Sequence, residues 1–375
     1  MGFNLGDGAP HARGHQDRPL RTGWTTGACA TAATKAALTA LLTGAFPDPV
    51  AITLPKGETP AFALARESLG EGWASATIVK DAGDDPDVTH LAEIVSTVRH
   101  GAPGAGVTFS AGPGVGTVTL PGLPLEPGEP AINPVPRAMM RAVVEEACAL
   151  AGLAPDIAIE ISVPRGEALA RRTWNPRLGI LGGLSILGTT GVVHPFSCSA
   201  WIHSIHRGVD VARAAGLAHV VGATGSTSEA AAAALHPHLP QIAFLDMGDF
   251  AGGLLKYLRV HPVERLTIAG GFAKLAKLGQ GALDLHSGRS QVDLSFLAAL
   301  ALEARPEADA RLGPAILAAN TAAEALALAK AEGVDLAAAV AAKARASALG
   351  VLREAPVALE VLVVGRKGEA LARLG

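Results

Sequence analysis

The sequence predicts two domains, an α+β N-terminal half and a Rossmann-like α/β C-terminal half with a mostly parallel sheet. Three observations lead there. The chain has 375 residues, more than one core usually organises at roughly 100–200 residues per domain. Beyond Pro195, strand-like and helix-like runs alternate in the β-α-β-α order of a doubly wound sheet. Before Pro195 the texture differs, with Gly/Pro-rich passages, short apolar strands and two helical patterns. The division expected is an arm over residues 1–19, an α+β substrate-binding domain over 20–195 and the α/β domain over 196–375.

The opening MGFNLGDGAPHARGHQDRPL is polar and Gly-rich, lacks the apolar run of a secretory signal, and reads as a disordered arm on a cytoplasmic protein. Its His11 and His15 have no partners at metal-ligand spacing and read as solvated tail. Residues 22–42 begin with Gly and Thr, then become an Ala/Leu run with the i, i+3, i+4 repeat of a helix. Thr25 or Thr26 is the natural N-cap. Thr25, Thr26 and Gly27 at a helix N-terminus also make an anion site, because free N–H groups and the helix dipole point the same way. Capping by itself explains the threonines equally well.

Strands are expected over residues 50–54 and 74–79, the second leading into KDAGDDPDVTH. Asp81, Asp84, Asp85 and Asp87 crowd there beside Lys80 and His90, without the DxDxDG pattern of a calcium loop. A solvated acidic turn is the default reading. Against it, close carboxylates at a strand end raise one another's pKa, and Asp85 is held extended before Pro86. Asp85 is therefore one candidate acid or base. Leu91-Ala92-Glu93 after the loop reads as a helix start.

Residues 101–128 are Gly/Pro-rich, with short strands over 107–110 and 116–120. AGPGVG lacks the GK[ST] ending of a phosphate loop, so a β-hairpin or bulge accounts for its glycines. A helix over 138–151 follows EPAINPVPR, with Asn133 and Arg137 at its entrance; the Arg137 fork suits a carboxylate as well as it suits a solvated surface. A strand over 157–163 and a short helix in PRGEALARRTWN lead onward, and Arg171, Arg172 and Arg177 make a basic cluster.

The central stretch, NPRLGILGGLSILGTTGVVHP over 175–195, is uncharged after Arg177 and carries five glycines, Ser185, Thr189 and Thr190 among branched aliphatics. Each glycine inside a helix would cost about 0.5–1 kcal/mol relative to Ala, so tight turns or close backbone contact are expected instead. The plain reading is a buried strand and turn; the sharper one is a wall of peptide N–H groups and hydroxyls facing a large ligand. A membrane span is rejected, since the stretch falls short of ~20 apolar residues.

In the second half, helices are expected over 199–216, 226–235, 250–260 and 271–281, and strands over 218–222, 242–247 and 265–269. Ligands of such sheets lie beyond the carboxyl ends of the strands. Gly222, Thr224 and Gly225 there offer close backbone approach, Asp246 and Asp249 suit ribose hydroxyls, and Gly270 follows the third strand. Together they suit an adenosine-type ligand. Residues 293–350 read as helix and 357–364 as a final strand, and His286 just before them reads equally as a structural or a catalytic histidine.

Composition narrows the partners. Charged residues make up 17% and aromatics 4%, and the net charge is −3; with no Lys/Arg block, this argues against a nucleic-acid or membrane surface. Cys29, Cys148 and Cys198 share no CxxC spacing, so neither a zinc ribbon nor a disulfide framework is indicated, and they read as buried small hydrophobes. The low charge is compatible with a homodimer.

TGWTTGACATAATKAAL, VKDAGDDPDVTH, GEPAINPVPR, TWNPRLGILGGLSILGTTGVVHPFS and GGFAKLAKLGQGALDLHS, in that order over residues 20–287, resemble the cobalt-precorrin-5B C1-methyltransferase family of cobalamin biosynthesis. The resemblance implies an S-adenosyl-L-methionine-dependent enzyme that methylates C1 of a corrinoid macrocycle, giving cobalt-precorrin-6A. Any cobalt would arrive inside the small-molecule substrate, so the resemblance implies no protein-held metal, and any general acid or base would be Asp84 or Asp85 of the acidic loop. The ring is broad, apolar and fringed with carboxylates. Gly182, Gly183, Ser185, Thr189 and Thr190 would line its walls, while Thr25, Thr26, Gly27, Lys80, Asn133, Arg137 and Arg177 would hold its edges. Gly222, Thr224, Gly225, Asp246, Asp249 and Gly270 would hold the methyl donor. Methyl transfer needs orientation and no covalent nucleophile.

Two other classes remain open. An NAD(P)-dependent oxidoreductase would use the C-terminal sheet, although residues 222–225 do not make GxGxxG; a corrinoid carrier would bind the ring without turnover.

Overall fold

The structure, a computed structural model, describes residues 19–306 and 310–375. The expected arm, apart from Pro19, lies outside the described residues, as do His11 and His15. The chain divides into two compact units, Met1–Ser197 and Cys198–Gly375. Among the described residues, no helix is long and apolar enough to cross a membrane.

In the first unit two 18-residue helices stack on a five-stranded sheet, α1 (Thr26–Thr43) against the sheet and α2 (Pro134–Ala151) against α1. In space the strands run Arg66–Gly70, Trp73–Val79, Glu93–His100, Ile157–Ser162 and Thr108–Ala111, all pairs antiparallel except the last. Small residues let α1 sit between sheet and α2. Ala28, Cys29, Ala32, Ala33, Ala36 and Ala37 are wholly buried, and Thr34 Oγ1 meets Ser96 Oγ of the sheet at 2.8 Å.

Two expectations change here. The residues after His90 do not begin a helix: Leu91 has a positive φ of 62°, and Glu93–His100 is a strand. EIVSTVRH explains this, because Ile94, Ser96 and Val98 alternate into the core and β-branched residues suit a pleated surface. The hairpin expected within 107–120 is also absent. Thr108–Ala111 pairs in parallel with Ile157–Ser162, and the residues after it pair with the central stretch. Gly114–Val115 runs parallel to Gly183–Leu184, Thr117–Val118 antiparallel to Ile180–Leu181, and Gly23–Trp24 antiparallel to Val192–Val193. The central stretch is thus one turn of 3-10 helix, Asn175–Leu178, followed by three two-residue strands joined by turns. A short helix, α3 (Gly166–Ala170), precedes it.

In the second unit α4 (Cys198–Ala214) leads into the strand His219–Ala223, then come α5 (Ser226–Leu235), the strand Phe244–Asp246, α6 (Ala251–Val260), the strand Arg265–Gly271 and α7 (Phe272–Gly279). The tail is four helices, α8 (Leu294–Ala304), α9 (Leu312–Leu317), α10 (Ala322–Ala331) and α11 (Leu336–Leu352). It ends in the strand Ala358–Val364 and an unanticipated antiparallel strand, Ala370–Leu374. Numbered within this unit, the strands lie in the order 2-1-3-4-5, the first four parallel. Val220, Leu266, Ile268 and Val361 feed the larger core, whereas Val221, Ala269 and Leu362 join Ala232 of α5 in a smaller core on the other face. The order reverses between His219–Ala223 and Arg265–Gly271, and ligands of open parallel sheets bind beyond such a reversal.

Candidate active site

In the first unit the N-termini of α1 and α2 converge on residues 185–191. Leu187 O accepts from Gly27 N at 2.8 Å and from Thr26 Oγ1 at 3.0 Å, and Leu187 N donates back to Thr26 Oγ1 at 2.9 Å. Ile186 O accepts from Asn133 N at 3.1 Å. A Cβ on Gly27 would stand 2.7 Å from Pro136 Cγ. Two helix dipoles of like sign therefore end at one place, which favours negative charge there.

Most of the expected edge groups are committed within the fold. Thr26 is buried and bonded only to Leu187, and Thr25 Oγ1 caps α1 through Ala28 N at 3.1 Å. Lys80, 1% exposed, pairs with Asp87 at 2.6 Å. Burial works to raise the Asp87 pKa, but the Lys80 ammonium and Thr89 outweigh it and leave it lowered. Arg137 donates to Ile132 O and Pro130 O at 2.7 and 3.0 Å, pairs with Glu129, and lies over Phe109. It braces the turn before α2 and is not free for a ligand carboxylate. Arg177 is half-buried and partnered beside the basic turn.

The acidic loop is a clamp on the chain entering α1. Arg21 grips Asp81 with both guanidinium nitrogens, Asp81 O accepts from Trp24 N, and Asp84 Oδ2 accepts from Arg21 N at 2.7 Å. The Arg21 bond, then that of Gly83 N, brings Asp81 down to about 2. Asp85 Oδ1 accepts from Phe196 N at 2.8 Å, leaving its second oxygen without a partner among the described residues. An open groove of about 330 Å³ runs beside the clamp between Trp24, Phe62, Leu64, Ile78 and Asp81.

The central stretch divides between packing and presentation. A Cβ on Gly183 would stand 2.3 Å from Gly114 backbone, and one on Gly188, at φ 142°, 2.2 Å from Thr25 Oγ1. Ser185 bonds Asn175, whose amide holds Gly183 O, and Thr190 bonds Val192. Gly182 faces open space. Thr189 is exposed, and neither its hydroxyl nor the Asn133 amide has a hydrogen-bond partner among the described residues. Leu187 and Phe196 are exposed, Phe196 to 65%; as isolated apolar residues they carried no sequence signal.

In the second unit, the strand ends gather Thr224, Gly225, Asp246, Asp249 and Gly270, with Lys274 and Lys277 from α7. Lys274 Nζ donates to Thr224 O at 2.8 Å and lies 3.1 Å from Asp249 Oδ1. That carboxylate oxygen is buried and, despite the short separation, receives no aligned hydrogen bond. Lys277 is buried with Leu285 O as its acceptor at 2.9 Å, and burial lowers its pKa. Trp201 Nε1 donates to Asp246 O at 3.1 Å. The lysine spacing after Gly270-Gly271 was visible in the sequence, but the bond to Thr224 joins residues fifty positions apart.

The glycines here have different causes. A Cβ on Gly222 would strike Leu254 Cδ2 at 2.4 Å, so Gly222 makes room for α6, and one on Gly270 would stand 2.9 Å from Thr224 Cγ2. Around Gly225 and Gly271, which start α5 and α7, the Cβ position is open. Cys29 is buried, which pushes its thiol up to about 12 and makes it inert as a nucleophile.

The family model described as CbiD matches residues 13–195, and that of CbiD, C-terminal domain, matches residues 284–375. The chain is 66% identical over 367 residues to a cobalt-precorrin-5B C(1)-methyltransferase of Brucella anthropi, covering 98% of this chain and 99% of the relative. It is 66% identical over 365 residues to the protein of the same name from Brucella canis, covering 97% and 98%. A 1.9 Å crystal structure of the cobalamin biosynthesis protein cbiD from Archaeoglobus fulgidus aligns with 28% identity over 72% of this chain and 83% of that chain, at a TM-score of 0.40. By the two family models and by this near-full-length identity, the chain belongs to the CbiD family.

Proposed function

We propose that this chain is a cobalt-precorrin-5B C1-methyltransferase that uses S-adenosyl-L-methionine in cobalamin biosynthesis. The observation that carries the reading is 66% identity across 98% of the chain to a protein of that name. The geometry supports it in two places. In the second unit, a Rossmann-like sheet in this reading, the Asp249 carboxylate, ion-paired with Lys274 at 3.1 Å without an aligned hydrogen bond, suits a hydroxyl donor such as a ribose. Open backbone at Gly225 and Gly271 admits a ligand at the starts of α5 and α7. The donor would supply a methyl group carried on a sulfonium sulfur. Asp249 and Asp246 would orient it, and their negative charge suits a cation.

In the first unit the converging helix starts suit the carboxylate fringe of a corrinoid, with the Asn133 amide and Thr189 hydroxyl as added donors. Gly182, Leu187 and Phe196 offer apolar surface to the ring. Asp85, with one oxygen fixed by Phe196 N, is the group we assign to any proton transfer, ahead of exposed Asp84. The same reading takes the enzyme as cytoplasmic and homodimeric, the latter checked by sedimentation.

The test is turnover with cobalt-precorrin-5B and methyl-labelled S-adenosyl-L-methionine, followed by mass spectrometry. The expected product carries one labelled methyl at C1, and Asp85→Asn lowers kcat more than it weakens substrate binding. Corrinoid binding without transfer would instead make the chain a carrier.

A further inference from the structure

The amino-terminal edge of the parallel sheet, away from the strand ends assigned to the methyl donor, holds a histidine cluster. His219 opens the strand His219–Ala223, His236 caps the C-terminus of α5, and His238 follows in the loop HPHLP. One ring nitrogen of each lies within 4.8 Å of those of the other two. The His219 and His236 ring centroids are 4.9 Å apart, and those of His236 and His238 6.0 Å. Imidazoles on one tetrahedral ion, at 2.0–2.1 Å per bond, have centroids roughly 5 Å apart.

The surrounding hydrogen bonds fix the tautomers. Glu360 is acceptor-only when ionised, and Arg373 pairs with its other oxygen. Its Oε2 accepts from Thr267 Oγ1 at 2.8 Å and meets His236 Nε2 at 3.0 Å. His236 therefore carries its proton on Nε2. Thr267, whose proton is directed to Glu360, can only accept from His219 Nε2, 2.8 Å away. His219 is protonated on Nε2 as well. Both buried rings are left with Nδ1 lone pairs, while their Nε2 atoms are anchored to a carboxylate directly or through a hydroxyl. Ligating histidines are commonly oriented by such outer contacts.

We propose that His219, His236 and His238 bind a divalent transition-metal ion of the zinc class. Histidines hydrogen-bonded to a glutamate are complete without an ion; what points to one is the third imidazole converging on the two buried ones. Nitrogens around a tetrahedral ion stand roughly 3.4 Å apart, and the adjustment falls on His238, the exposed ligand. Solvent completes the fourth position. The ion would tie the end of α5 to the first strand, a structural clasp independent of methyl transfer.

Zinc titration of the chelator-treated full chain by calorimetry tests this, with cobalt(II) absorption reporting coordination geometry. Expected are one saturable equivalent, an intense visible band for cobalt(II), and at least tenfold weaker binding in His238→Ala. Glu360→Gln should weaken binding by 10- to 100-fold. His238 is exposed, so its variant keeps the test valid if those at His219 or Glu360 fold poorly. Absence of saturable binding, or equal affinity in wild type and His238→Ala, would overturn the proposal.

Discussion

At the start of α1, Thr25 and Thr26 direct their hydroxyls to Ala28 and Leu187, so the polar groups complete the fold. At the strand ends of the second unit, Asp249 Oδ1 is ion-paired with Lys274 at 3.1 Å but receives no aligned hydrogen bond among the described residues, and the starts of α5 and α7 are flanked by open space. Both regions show the same sequence texture of Gly and Thr next to a helix. A polar group whose bonds are all made inside the chain is evidence about stability. A buried one whose single contact is poorly aligned, beside open backbone, leaves room for a ligand group to complete it.

This difference can be tested by substitution. The largest effect should come from Lys80→Met, which leaves Asp87 without its partner: about 3 kcal/mol of stability lost from the first unit in denaturant titration, with S-adenosyl-L-methionine affinity unchanged. If affinity fell and stability held, Lys80 would belong to a binding site after all. Next are the paired changes Gly222→Val and Gly225→Val. The first overpacks against Leu254 and should cost about 1–3 kcal/mol. The second meets open space and should leave stability within about 0.5 kcal/mol while blocking the donor. Equal destabilisation by both would erase the distinction.

In the first unit Thr26→Val removes two bonds to Leu187 and should cost about 1–2 kcal/mol. Asn133→Ala removes an amide that caps nothing. It should leave the melting temperature alone and raise the KM for the corrinoid; a melting shift as large as that of Thr26→Val would remove Asn133 from the site.

The smallest effect is the pH dependence of the Arg21–Asp81 clamp. The folded pKa of Asp81, about 2, is below its ordinary 3.8, so the unfolded chain binds the proton more readily. The stabilisation is present above pH 3.8 and fades as pH falls towards 2. Solvent screening keeps it modest. In Asp81→Asn, loss of stability in this window should be shallower than in wild type.

Much of this was legible beforehand for local reasons. Ala/Leu periodicity gave α1, and alternating runs gave the order of strands and helices in the second unit, with α5 at its observed bounds. What failed depended on partners distant in sequence. EIVSTVRH became a strand because Trp73–Val79 and Ile157–Ser162 flank it, and the 107–120 glycines paired with the central stretch instead of with one another. At the site, residue type was readable but commitment was not. Nothing near Lys80 or Arg137 in sequence distinguishes an internal ion pair from a ligand contact, and Gly222 resembles Gly225 until Leu254 is placed beside it.

The most direct measurement is calorimetric titration of S-adenosyl-L-methionine, with and without corrinoid, into wild type and Asp249→Asn. The account predicts saturable binding to the wild type and at least tenfold weaker binding to the variant, about 1.4 kcal/mol or more, at an unchanged melting temperature. Equal affinity in the two proteins, or no binding to the wild type even with the corrinoid present, would contradict it.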